Sequence, residues 1–100
     1  MSEDSVAVVW SSDSLEERGE IYDTLFEWAS EEVAEKTDEE FIKSVSNLKI
    51  LPEMGVKKPG RKGLQLILTS VPYIIAYEFD KKNKIIKILK VLPQRAIKRR

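Results

Sequence analysis

The side chains that could carry out chemistry in this chain of 100 residues are few, because it has no histidine and no cysteine. The chain therefore has no imidazole to act as a general base near neutral pH, no thiolate nucleophile and no disulfide. Proton transfer would fall to Tyr73, to Tyr77 or to a lysine with a lowered pKa. Arg61 or Arg95 could hold a phosphate. We expect no metal site and no cofactor.

Each of these candidates also has a purely structural interpretation. Tyr73 and Tyr77 lie two residues apart in an apolar run, where aromatic side chains usually pack against a sheet. Arg95 follows a predicted strand end, where an arginine is more often simply solvated. Arg61 and Lys62 lie between glycines and fit either interpretation. The acidic residues of the predicted helices lie mainly opposite the apolar stripe, which is typical of a solvated surface.

Charged residues are divided unevenly along the chain, although the formal net charge is zero. Residues 1–54 hold fifteen Asp and Glu against four Lys and Arg, a balance of −11. Residues 55–100 hold two against thirteen, a balance of +11. The basic half could meet phosphates, an acidic partner protein or only its own acidic half.

Length and hydropathy predict a single domain over residues 1–100, in which the 42% of apolar residues form one core. No apolar run approaches the roughly 18–20 residues that span a bilayer, and no signal-peptide pattern opens the chain. We therefore expect no membrane partner and a cytoplasmic location.

Short apolar runs rich in β-branched residues predict four strands, at residues 5–10, 64–68, 73–79 and 85–92. The last three are joined by short turn-forming segments and predict an antiparallel meander. Pro72 fits the first position of a strand because it lacks an N–H. Residues 52–63 contain three glycines and two prolines and predict an ordered loop.

Apolar residues at three- and four-residue spacing predict a first helix over residues 12–29. Trp28, beside its apolar stripe, could be core or an exposed anchor for a partner. A second helix begins either at Glu31, capped by Ser30, or later, at a capping box of Thr37 and Glu40, and ends before Pro52. The order β-α-α-β-β-β predicts an α+β fold with a helical hairpin on one face of an antiparallel sheet.

Four segments of the chain carry a pattern that extends beyond secondary structure. Residues 8–23 read VVWSSDSLEERGEIYD, and residues 51–55 read LPEMG. Residues 71–77 read VPYIIAY, and residues 86–92 read IKILKVL. In this order the four segments resemble the RelE/ParE toxins of bacterial toxin–antitoxin modules. The resemblance covers most of the chain and implies a cognate antitoxin as partner, in a hetero-oligomer with the toxin.

The resemblance leaves two activities open. ParE-like toxins block DNA gyrase and need no catalytic residues, whereas RelE-like toxins are ribosome-dependent endoribonucleases that cut translated mRNA. This chain has Gln65 in the stretch where the family usually has an arginine, Pro93 where it often has a histidine, and no tyrosine near its end. These departures favour the ParE-like branch.

The resemblance also directs attention to particular positions. If the chain is a ribonuclease, the catalytic candidates are Arg61, Lys62, Tyr77 and Arg95. For binding of the antitoxin or the target, the candidates are Trp28, Arg61, Lys62, Lys90, Arg95 and Lys98.

Overall fold

Two helices pack against a five-stranded sheet in the computed structural model of the protein, which describes residues 5–94. The elements are β1 (Ala7–Trp10), α1 (Ser12–Trp28), α2 (Glu31–Leu48), β2 (Val56–Lys57), β3 (Leu64–Ile67), β4 (Tyr73–Asp80) and β5 (Ile85–Pro93). The α+β class and the helical hairpin are confirmed. The short strand β2 lies within the predicted loop, because two residues pairing with a neighbour leave no apolar run to detect.

The strands lie in the order β1-β5-β4-β3-β2. The meander from β3 to β5 is confirmed as antiparallel, with Leu66 opposite Ile75 and Phe79 opposite Ile86. β1 instead pairs in parallel with β5, so the sheet is mixed and not wholly antiparallel. The direction of β1 depends on how the helical hairpin returns the chain to the sheet, which the residues of β1 do not specify.

Serine side chains begin both helices. The Ser11 hydroxyl accepts a hydrogen bond from the Ser14 N–H at 3.0 Å, and the Ser30 hydroxyl accepts one from the Val33 N–H at 3.1 Å. The second helix therefore begins after Ser30, and the later start at Thr37 is wrong. Thr37 is instead buried within α2, where it faces the protein interior.

α2 supplies the helical side of the core. Its residues Phe41, Val45 and Leu48 are buried in one apolar cluster with residues of the sheet. The sheet residues of this cluster are Leu66, Leu68, Ile75, Tyr77, Ile86, Ile88 and Val91. These positions alternate along β3 and β4, and on β5 the step from Ile88 to Val91 spans the irregularity in its pairing with β4, so all of them share the face that the helices cover.

Polar contacts attach α1 to α2 and to the sheet, in addition to the packing of Ile21 against the core. Arg18 donates from Nε and Nη2 to the two carboxylate oxygens of Asp38 on α2, both at 2.9 Å, and its guanidinium lies 4.7 Å from the centre of the Trp10 ring. Glu17 accepts a hydrogen bond from the Val91 N–H at 2.7 Å. The contact of Glu17 with Val91 lies next to a register shift in the pairing of β4 and β5. α1 therefore covers the point where the regular hydrogen bonding between these two strands is interrupted.

Two glycines shape the turn between β2 and β3, and their surroundings differ. Gly60 and Gly63 both have a positive φ, of 75° and 78°. A Cβ on Gly60 would meet open space, whereas a Cβ on Gly63 would overlap the carbonyl oxygen of Tyr77. Gly63 therefore permits the turn to lie directly against β4.

We predict that Gly63→Ala destabilises the protein more than Gly60→Ala does. Both substitutions place alanine at a positive φ, which costs roughly 1–2 kcal/mol. Only Gly63→Ala adds the overlap with Tyr77, for which we expect about 1–3 kcal/mol more. Urea denaturation of the two variants measures the difference directly. Equal loss of stability in both would show that the close approach of the turn to β4 contributes nothing.

Candidate functional site

Tyr77 occupies the centre of the core. The residue is 0% exposed, and its hydroxyl donates to the Pro52 carbonyl at 2.8 Å and accepts from the Gly55 N–H at 2.9 Å. Burial raises the pKa of the hydroxyl above its ordinary value. The Tyr77 hydroxyl thus both donates and accepts a hydrogen bond within the fold, which favours the packing interpretation over a catalytic one.

Tyr73 lies on the same face of β4. Its ring meets the ring of Phe41 edge to face, with centroids 5.3 Å apart and an interplanar angle of 88°. Burial also raises the pKa of Tyr73. A general base near neutral pH needs a group of lower pKa than an ordinary tyrosine, so neither side chain is suited to that role.

Arg61 and Lys62 are exposed in the turn between β2 and β3. The Arg61 N–H closes this turn on the Lys58 carbonyl at 3.1 Å, and the Lys62 ammonium lies 3.4 Å from the carboxylate of Glu78. Adjacent strand residues point to opposite faces, so Glu78 and Lys62 lie across the sheet from the Tyr77 side chain. Arg61 and Lys62, which are adjacent in sequence, therefore do not lie beside the side chain of Tyr77.

The remaining predicted binding residues have separate positions. Trp28 ends α1 and is 82% exposed, so it lies at the surface and not in the core. Lys90 on β5 donates to Glu17 at 2.9 Å, and this hydrogen bond raises the pKa of Lys90. Arg95 and Lys98 lie outside the described residues.

A groove between α2 and the edge of the sheet contains residues that the sequence did not single out. Its volume is about 300 Å³, and Met54 and Ile67, which are 46% and 43% exposed, lie along it. Its other lining residues are Glu40, Lys43, Ser44, Asn47, Leu66, Leu68, Thr69 and Ser70. The sequence predicted a strand over residues 64–68 but did not specify which of its faces would be covered, so it gave no signal for the exposure of Ile67.

The edge of β3 beside this groove is only partly covered. β2 pairs with Leu64 and Gln65, and within residues 5–94 no strand continues this pairing along Leu66 and Ile67. An incompletely paired edge next to exposed apolar side chains is a surface to which an extended peptide can add a strand.

Neither helix in the part of the chain that the structure describes is long and apolar enough to cross a membrane. The same residues contain no group of three or more histidine, cysteine, aspartate or glutamate side chains arranged to hold a metal ion.

The two-helix, mixed-sheet fold is that of solved toxin–antitoxin structures. A chain of the chromosomal ParDE system from P. aeruginosa superposes with a TM-score of 0.76 at 20% identity, covering 90% of this chain and 97% of that chain. A chain of the intact E. coli RelBE complex superposes with a TM-score of 0.51 at 13% identity, covering 88% and 95%. At these identities the likeness concerns the fold alone.

The sequence itself defines the family more narrowly. Residues 8–97 match the model of the ParE toxin of type II toxin–antitoxin systems, parDE. The chain therefore belongs to the ParE toxin family. No curated protein sequence matches it significantly.

We predict that Tyr77→Phe destabilises the protein by about 1–3 kcal/mol, because it leaves the Pro52 carbonyl and the Gly55 N–H without their partner. The matched control is Tyr73→Phe, which removes a hydroxyl that makes no hydrogen bond to another described residue. Chemical denaturation of both variants provides the comparison. A Tyr77→Phe variant as stable as the control would contradict the structural role that we assign to this hydroxyl.

Proposed function

We propose that this chain inhibits DNA gyrase and is neutralised by a cognate antitoxin with which it forms a hetero-oligomer in the cytoplasm. Membership of the ParE toxin family over residues 8–97 is the observation that carries this proposal. A toxin of this kind acts by binding its target, so it needs an accessible surface and no catalytic group.

The arrangement of the nuclease candidates supports binding over catalysis. Metal-free cleavage of RNA requires a proton acceptor, a proton donor and a positive charge around one phosphate. The Tyr77 hydroxyl is enclosed in the core, while Arg61 and Lys62 lie on an exposed turn at the edge of the sheet. The chain has no histidine to replace the tyrosine.

We expect the purified protein to inhibit supercoiling by gyrase, and its induction in cells to cause a DNA-damage response while mRNA stays intact. Supercoiling of a relaxed plasmid and northern analysis of an abundant message measure the two effects in parallel. Rapid mRNA cleavage that is lost in Arg95→Ala, with supercoiling unaffected, would replace this proposal with the RelE-like, ribosome-dependent endoribonuclease.

For the antitoxin, we propose the groove between α2 and β3 as part of the docking surface. Met54 and Ile67 offer apolar contacts there, and the uncovered edge of β3 offers backbone hydrogen bonds to an extended segment. The charged side chains that line the groove are Lys43 and Glu40, whose Nζ and Oε2 atoms lie 3.9 Å apart. The apolar contacts and the strand edge therefore carry the assignment of an amphipathic antitoxin segment to this groove.

We predict that Ile67→Glu weakens binding of the antitoxin about tenfold or more, because it places a charge in an apolar contact. The matched control is Val9→Glu on β1, since Val9 is 51% exposed and Ile67 is 43% exposed. The measurement is titration calorimetry with the product of the adjacent open reading frame. Equal weakening in both variants would contradict the assignment of this groove. Binding that persists in high salt would indicate apolar anchoring over electrostatic attraction.

A further inference from the structure

Two basic turns lie side by side at one end of the sheet. One joins β2 to β3 and the other joins β4 to β5. Leu64 at the start of β3 lies opposite Tyr77 near the end of β4, so both turns project from the same end. We call this region the basic end; its positively charged residues are Lys57, Lys58, Arg61, Lys62, Lys81, Lys82, Lys84 and Lys87.

Three acidic residues also lie at the basic end, and the carboxylate of each already has an ion-pair or hydrogen-bond partner within the protein. Glu78 is 3.4 Å from the Lys62 ammonium, and Glu53 is 3.4 Å from that of Lys81. Asp80 accepts hydrogen bonds from the Asn83 side chain at 2.9 Å and the Asn83 N–H at 3.1 Å. Eight positive against three negative side chains leave a net charge of +5 among the described residues of this region.

Several of the cations are available to a ligand. Lys57, Arg61 and Lys82 are exposed, and none of them forms an ion pair with another residue between positions 5 and 94. Lys57 and Lys87 line a common cleft of about 520 Å³, whose walls also include the three acidic residues named above. The helices, in contrast, carry most of the acidic residues of the chain.

Both turns are held in defined conformations. The turn between β2 and β3 is closed by the Arg61 N–H on the Lys58 carbonyl, and Gly63 lets it lie against β4. The turn between β4 and β5 is held by the hydrogen bonds between Asp80 and Asn83. The positive charges are therefore presented on an ordered surface, which reduces the entropy lost on binding.

We propose that the basic end binds the phosphate backbone of double-stranded DNA, independently of the inhibition of gyrase. Lys57 on β2 and Lys87 on β5 are three strand spacings apart, or about 14 Å. Duplex DNA presents one phosphate per roughly 3.4 Å of axis on each strand, so a surface of this width reaches several phosphates.

The composition of the basic end favours a duplex over single-stranded RNA. Proteins that bind single strands commonly stack the bases on exposed aromatic side chains. Among the described residues of this end the aromatic side chain is Phe79, which is half-buried: it packs against the core and also lines the cleft. One half-buried ring does not provide the succession of exposed rings on which single strands stack. Lysine and arginine without a stacking platform contact the backbone only and read no sequence.

The test is fluorescence anisotropy with a labelled DNA duplex and the full-length protein, produced by cell-free synthesis. The variant Lys57→Gln, Arg61→Gln, Lys82→Gln removes three exposed charges from the basic end. The control Lys36→Gln, Lys43→Gln, Lys49→Gln removes three exposed charges from α2 and the residue after it. Circular dichroism establishes that all three proteins are folded.

We expect the unmodified protein to bind the duplex with an affinity that falls steeply with salt. The basic-end variant should lose roughly two orders of magnitude in affinity near 100 mM salt, and its salt slope should fall by about 2.7, since each phosphate contact contributes about 0.9. The control should bind as the unmodified protein does.

Any of four results would overturn the proposal. These are no binding at about 50 mM salt, equal weakening in the control, tighter binding of single-stranded RNA of the same length, or displacement of the duplex by polyglutamate at equal charge concentration. The last result would assign the basic end to an acidic peptide. None of them bears on gyrase inhibition, which the supercoiling measurement reports separately.

Discussion

The hydroxyl of Tyr77 holds the segment that follows α2 against the central strands. It joins the Pro52 carbonyl and the Gly55 N–H to β4 through a side chain that is itself 0% exposed. Gly55 is part of the same constraint, because a Cβ there would come within 2.7 Å of the hydroxyl oxygen. The path of the chain from the helical hairpin back to the sheet is therefore set by one buried side chain and one small residue.

Both surfaces to which we assign binding depend on this path. The segment carries Met54 to the groove beside α2 and then enters β2, which covers only the first part of the β3 edge. It continues into the basic turn, where Gly63 allows contact with β4. The apolar groove and the basic end thus occupy two sides of one ordered segment, so a peptide along β3 and a polyanion at the turn could be bound at the same time.

The position of Tyr77 also bears on the proposed function, because the fold is shared with a chain of the RelBE toxin–antitoxin complex. The fold by itself supports more than one activity, and the activity depends on which side chains it presents. Here the Tyr77 side chain is part of the core cluster, while Arg61 and Lys62 are exposed in the turn between β2 and β3.

The sequence by itself determined both helices, four of the five strands and the family. Apolar periodicity located α1 and the meander to within a few residues, because this signal arises from neighbours along the chain. The start of α2 was open between Ser30 and Thr37, and the hydrogen bond from the Val33 N–H to the Ser30 hydroxyl decided it. Only the tertiary structure decided that β1 runs parallel to β5 and that the two basic turns lie side by side. It also decided that Trp28 is exposed and that Tyr77 is buried. Each of these depends on residues far apart in sequence, and a local pattern of apolar and charged residues does not specify which distant segment will lie beside it.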